Sequence, residues 1–242
     1  MKKRTRIILS VCLAVLLVIG IGGYAYVSDY YHADETALAA MAYQTDSMQA
    51  EQDGDVIWFV PENPVAGLIF YPGGKVENTA YAPLLRACAE YGILCALVRM
   101  PGNLAVLDAN AADGLQQEHP EITTWYIAGH SLGGAMAAGY AAAHEKDFDG
   151  LILLAAYSTK DLSQTTLRVL SVYGSEDGVM NRESYEKNHA NLPANTTEVV
   201  LDGGCHAQFG SYGAQDGDGV PTISGEEQIR QAAEAITAFV GR

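Results

Sequence analysis

From Ile7 to Val27 the chain runs twenty-one residues without a charge. A helix of that length rises about 30 Å, the thickness of a bilayer's hydrocarbon core. Further on the pattern changes to short apolar runs separated by helical spacing. Ala33–Tyr43 reads as a short helix, and Met48–Gln52 with Val56–Val60 as a hairpin around Asp53-Gly54-Asp55. Apolar strands are expected at Gly67–Tyr71, Ile93–Val98, Trp125–Ala128, Leu151–Ala155, Leu167–Tyr173 and Glu198–Leu201. Helices are expected at Ala82–Tyr91, Leu104–Gln117, from Ser131 to His144, Arg182–Asn191 and Glu226–Val240. Strands that are apolar throughout, rather than alternating, are covered on both faces, and intervening helices supply parallel crossovers. The expectation is one α/β domain over 48–242 with a mostly parallel central sheet flanked by helices. A basic tail (1–6), a membrane span (7–27) and a stalk (28–47) precede it.

Charge sharpens the picture of the N-terminus. Four of the fourteen basic residues, Lys2, Lys3, Arg4 and Arg6, lie ahead of the apolar span, and Asp29, Asp34 and Glu35 follow it. The positive-inside rule puts the tail in the cytoplasm and the domain outside, as a single-pass cell-membrane protein. Cleavage as a signal peptide near Gly23-Tyr24-Ala25 is the competing reading and would release the domain. Beyond the span, ten basic residues face 29 acidic ones. A body that acidic repels phosphate backbones, so nucleic acid is excluded as a partner. Cys88 and Cys95 could pair across a helix-to-strand junction, although buried free thiols fit the odd count of Cys88, Cys95 and Cys205 better. No spacing of His and Cys suggests a metal, and no cofactor is implied.

The chemistry centres on Gly129-His130-Ser131-Leu132-Gly133, a G-x-S-x-G string between a predicted strand and a helix of small residues. A serine on such a turn stands exposed at the head of a helix whose free N–H groups face the reaction centre. It needs a base, and the base needs an orienting acid. This elbow predicts acid and then histidine, each after a later strand. Asp177, in Gly174-Ser175-Glu176-Asp177-Gly178, is preferred to Glu176 because a short side chain before glycine suits a strand-end loop; Asp202 is a weaker substitute. His206 alone among the histidines follows the acid just past a strand. Two backbone donors are required for an oxyanion: Leu132, and Gly74 or Lys75 in the turn after Gly67–Tyr71. His130, Gln208, Phe209 and Tyr212 are candidates to shape a substrate pocket. Asp216 and Asp218, in the same glycine-rich loop, read as solvated turn residues.

Read together, YPGGK (71–75), GHSLGG (129–134), GSEDG (174–178) and GGCHAQFG (203–210) resemble the α/β-hydrolase superfamily. The chain is most similar to small, lid-poor, membrane-anchored members related to dienelactone hydrolases and carboxylesterases. The resemblance implies an eight-stranded sheet, a Ser131–Asp177–His206 triad and acyl transfer to water through an acyl-serine. The expected activity is that of a serine hydrolase, an esterase acting on a small-molecule ester or related acyl bond. Transfer of the acyl group to an alcohol or amine uses the same intermediate, and a silent membrane-tethered binding module is the reading from another class. Oligomeric state and natural substrate are not written in the sequence.

Overall fold

The computed structural model of the protein describes residues 3–42 and 48–241. They form two compact units, one ending at Tyr30 and the other spanning Tyr31–Arg242. The first is a helix, α1 (Lys3–Ser28), in which the 19 residues Ser10–Ser28 are long and apolar enough to cross a membrane. Leu13, Leu16 and Val18 on it are exposed.

The second unit begins with α2 (Glu35–Ala42) and continues through eight strands: β1 (Met48–Asp53), β2 (Val56–Pro61), β3 (Ala66–Tyr71), β4 (Ile93–Val98), β5 (Trp125–His130), β6 (Gly150–Leu154), β7 (Arg168–Gly174) and β8 (Thr197–Leu201). Its other helices are α3 (Ala82–Glu90), the single turn α4 (Leu115–Glu118), α5 (Leu132–Ala143), α6 (Arg182–Asn188) and α7 (Gly225–Val240). The strands make one sheet in the order β1-β2-β4-β3-β5-β6-β7-β8. Only β1–β2 and β2–β4 run antiparallel; every pairing from β4 through β3 to β8 is parallel.

Alternation along the buried strands sorts the core into two layers. Leu68, Phe70, Ala128, Ile152 and Val172 face one side, where Ile229, Ala232, Ile236 and Phe239 of α7 cover them. Ile69, Tyr71, Ile127, Leu151 and Leu153 face the other, against Ala137, Ala138 and Ala141 of α5. Burying both faces explains why these strands read as unbroken apolar runs. Carboxyl ends of the parallel strands converge at one edge, where an open α/β sheet places its site.

Two stretches differ from the sequence reading. Leu104–Gln117 is not a helix: one 3-10 turn over Ala105–Leu107 is followed by irregular turns and then α4. Tyr71 reaches from β3 to accept the Ala112 N–H at 2.9 Å and to donate to the Ala109 carbonyl at 3.0 Å. Tyr140 donates to Asp113 at 2.6 Å, and Gly114 takes φ +86°. Side chains from the sheet and α5 thus hold this stretch in a shape no helix allows. The expected stalk also differs. Residues 31–42 belong to the domain, with Ala37 fully buried, whereas 43–47 lie outside the described residues. All four cysteines are free thiols, Cys88, Cys95 and Cys205 being buried.

Candidate active site

Ser131 stands between the last residue of β5 and the first of α5, with φ 52° and ψ −121°. A residue with a Cβ enters that region only when its surroundings over-determine it. Here they do: the Ser131 N–H donates to Leu154 O at 2.9 Å and its carbonyl accepts from Ala135 at 3.1 Å. The flanking glycines answer to the same geometry. A Cβ on Gly133 would lie 2.2 Å from the carbonyl oxygens of Tyr71 and Pro72, and one on Gly129 would lie 2.5 Å from the Gly133 carbonyl carbon.

Asp177 and His206 arrive from the loops after β7 and β8. His206 Nδ1 lies 2.9 Å from Asp177 Oδ2, and both side chains are buried. Asp177 Oδ1 accepts the N–H groups of Val179 at 2.9 Å and Met180 at 2.8 Å. A carboxylate so engaged accepts the Nδ1 proton and leaves Nε2 as the basic nitrogen. Among the described residues Nε2 of His206 is buried with no hydrogen-bond partner. No hydrogen bond joins it to Ser131, a contact that commonly closes only with substrate present. Glu176 is exposed and bonds to Ser175, and Asp202 is exposed on a turn.

The turn after β3 supplies the opposite wall. Its three amides have different fates: Gly73 donates to the Tyr81 hydroxyl at 3.0 Å and Lys75 to Asn103 O at 2.7 Å. Gly74 has no such acceptor among the described residues, so the choice between Gly74 and Lys75 falls on Gly74. A Cβ on Gly74 would sit 2.9 Å from the Leu132 side chain, so the turn after β3 packs directly against the first residue of α5. Leu132 opens α5, and the first N–H groups of a helix lack intrahelical acceptors.

His130 does not face open space. It is buried, its Nδ1 is 2.8 Å from the Tyr81 hydroxyl, and its ring centroid is 4.5 Å from that of His206. The Gly73 N–H donates to the same hydroxyl, so Tyr81 joins the turn after β3 to His130. Phe209 and Tyr212 correct the expectation of a pocket lining. Both are buried, with Phe209 packed behind His130 at 5.6 Å and Tyr212 behind Tyr81 at 6.4 Å. Gln208 lines a groove of about 1430 Å³ between α2, α3, α7 and the loop after β8, which does not include Ser131, Asp177 or His206. A loop that is polar and glycine-rich in sequence can still bury its aromatics when it folds back on the sheet.

The model of the alpha/beta hydrolase family matches residues 67–230, from β3 into α7. The chain belongs to the alpha/beta hydrolase family. Solved structures share the fold of this hydrolase at low identity. A CIB-like hydrolase from Thermoplasma acidophilum superposes with TM-score 0.59 at 14% identity, over 79% of this chain and 99% of that one. Est1E from Butyrivibrio proteoclasticus does so with TM-score 0.58 at 15% identity, over 81% and 100%. Est1E with ferulic acid bound gives TM-score 0.61 at 14% identity, over 82% and 98%. No curated protein matches the chain.

Two residues of the hydrolase that sequence reasoning passed over hold its histidine loop. Asp218, read as a solvated turn residue, accepts the N–H groups of His206 at 3.1 Å, Ala207 at 2.8 Å and Gly178 at 3.1 Å. It therefore ties the loop bearing Asp177 to the loop bearing His206. Gln228 of α7, fully buried, brackets Cys205: its Oε1 accepts the N–H at 2.9 Å and its Nε2 donates to the carbonyl at 2.7 Å. Gln228 lies on the buried face of α7 with Ala232 and Ile236, so a polar residue at a core-facing helical position is the signal that could have found it. Burial alone would raise the Asp218 carboxyl, but the amides of Ala207, Gly178 and His206 outweigh it and hold it below the usual aspartate range. The resulting stabilisation is complete above about pH 3.9 and is lost as pH falls through the lower folded value. Asp218→Ala should cost about 2 kcal/mol of unfolding free energy and lower turnover, measured by urea titration alongside ester hydrolysis.

His130 gives the hydrolase a second, larger pH dependence. Burial, reinforced by the neighbouring His206, holds its imidazole well below the ordinary histidine range. The folded state keeps His130 neutral where the unfolded chain protonates it. Stability is thus fully present above about pH 6.5 and falls below it, by about 1.4 kcal/mol per pH unit for one proton. Urea unfolding between pH 7.5 and 5 should show this slope, and His130→Gln should reduce it by about that amount. An unchanged slope in the variant would assign the protons elsewhere.

Proposed function

We propose that this hydrolase is a serine hydrolase that cleaves a carboxylic ester or related acyl bond through an acyl-serine intermediate. Ser131 Oγ attacks the acyl carbon as His206 Nε2 takes its proton. Asp177 keeps the imidazole in the tautomer that leaves Nε2 basic, and the Gly74 and Leu132 amides receive the tetrahedral oxyanion. His206 then returns the proton to the leaving alcohol, and water, deprotonated by the same nitrogen, releases the acid. The observation that carries this reading is the buried His206–Asp177 pair with an unpartnered Nε2, in the loop order that a strained serine at the strand-to-helix turn demands.

For location, the apolar Ser10–Ser28 stretch of α1 and the basic residues ahead of that stretch support a single-pass anchor with the domain outside the cytoplasm. Protease added to sealed cells or vesicles of known orientation tests that topology.

A fluorophosphonate probe on the full chain in detergent tests the chemistry. Label should map to Ser131, vanish in Ser131→Ala and fall sharply in His206→Ala. A folded protein that takes no label would overturn the reading in favour of a silent binding module.

A further inference from the structure

The four residues with which the domain begins, Tyr31–Asp34, are bonded to both walls of the candidate site. On the oxyanion side, Tyr31 forms a parallel β-bridge with Val76. Its N–H donates to Lys75 O at 2.8 Å, and the Glu77 N–H donates to Tyr31 O at 2.9 Å. The Ala33 N–H then donates to Glu77 Oε2 at 3.1 Å, while Glu77 Oε1 accepts the Thr79 hydroxyl at 2.8 Å. On the histidine side, the Asp34 N–H donates to Ser211 O at 2.9 Å and the Asp216 N–H to the Tyr31 hydroxyl at 3.1 Å. The Tyr31 ring packs on Tyr212 at 5.6 Å.

The oxyanion wall needs such support. Lys75, next to Gly74, has φ 58°, and Asn103, which accepts its N–H, has φ 56°. Left-handed backbone at a residue with a Cβ persists only where outside bonds maintain it. Lys75 is held by its N–H on Asn103 and by its carbonyl under the Tyr31 N–H. Releasing the second bond lets the turn relax and carries the Gly74 amide with it.

Building on the serine-hydrolase reading, we infer that Tyr31–Asp34 is a positioning strap, with Glu77 as its anchor, that sets the oxyanion turn against the histidine loop. Chain processing compatible with turnover then falls N-terminal to Tyr31. Cleavage near Ala25 keeps the strap, and a cut inside it abolishes turnover without touching any reacting group.

The test uses the full chain in detergent, with Glu77→Ala, Glu77→Gln and Tyr31→Ala assayed on a soluble aryl ester. Concentrations of active enzyme come from fluorophosphonate titration. A misplaced donor weakens only the transition state, so kcat should fall about tenfold or more in Glu77→Ala while KM changes less than twofold. Glu77→Gln should recover most of the loss, because its carbonyl can accept from Ala33 and its amide can donate to Thr79. Should Glu77→Ala fail to fold, Tyr31→Ala reads the strap from its other side, with a fall in kcat expected. Folded variants with wild-type kcat, or with losses in KM alone, overturn the strap. Failure of the wild type to label or turn over overturns the hydrolase reading itself, a separate outcome.

Discussion

Ser131→Ala should lower kcat by about a million-fold and leave the melting temperature close to that of the wild type. The two halves of that expectation come from different parts of the structure. Alanine keeps the Cβ, so the positive φ at 131 costs what it costs in the wild type, and the Leu154 and Ala135 backbone bonds survive. Only the hydroxyl is lost, and with it the acyl-enzyme of the proposed mechanism. Residual catalysis of some thousandfold over water should persist if the Gly74 and Leu132 amides form the proposed oxyanion hole, since both are untouched by the substitution. Stopped-flow turnover of an aryl ester, with binding of a non-hydrolysable analogue as control, separates loss of chemistry from loss of binding. A residual rate within a hundredfold of wild type would mean that another group attacks.

Asp177→Asn should cost about 10⁴ in kcat with little change in KM. A substituted amide must choose how to lie. One orientation keeps its oxygen on the Val179 and Met180 N–H groups and turns its NH₂ toward His206 Nδ1. Nδ1 then has to accept, its proton moves to Nε2, and the base is lost. The flipped orientation would satisfy His206 but set the NH₂ against two backbone donors. The loop around 179–180 therefore selects the inactive tautomer. A crystal structure of the variant showing unchanged side-chain positions, together with the rate loss, would establish this; an unaltered rate would remove Asp177 from the mechanism.

The elements carrying the candidate site were legible because their constraints are local. Strand, glycine, serine, glycine and helix follow one another within a dozen residues, even though the steric demand on Gly133 comes from Tyr71 and Pro72 at the end of β3. Continuous apolar runs likewise located the parallel strands to within a residue or two. What escaped depends on partners distant in the chain. The stretch after Leu104 has helical spacing, and the hydroxyls of Tyr71, which lies 41 residues before Ala112, and of Tyr140 help to make it something else. Asp218 is a turn residue by composition and a clamp by virtue of three amides from two other loops. Phe209 and Tyr212 sit in a polar, glycine-rich loop whose burial no local pattern announces. Residues 31–34 carry no signal of their own, since their bonds are made mostly by backbone groups.

The free thiols described in the fold bear on where this domain can exist. Cys88, Cys95 and Cys205 are buried as thiols, and no covalent bridge holds any loop of the domain. The fold therefore holds without a disulfide, and a reductant should leave its melting curve unmoved. A fold that needs no bridge does not depend on an oxidising compartment to reach its native packing.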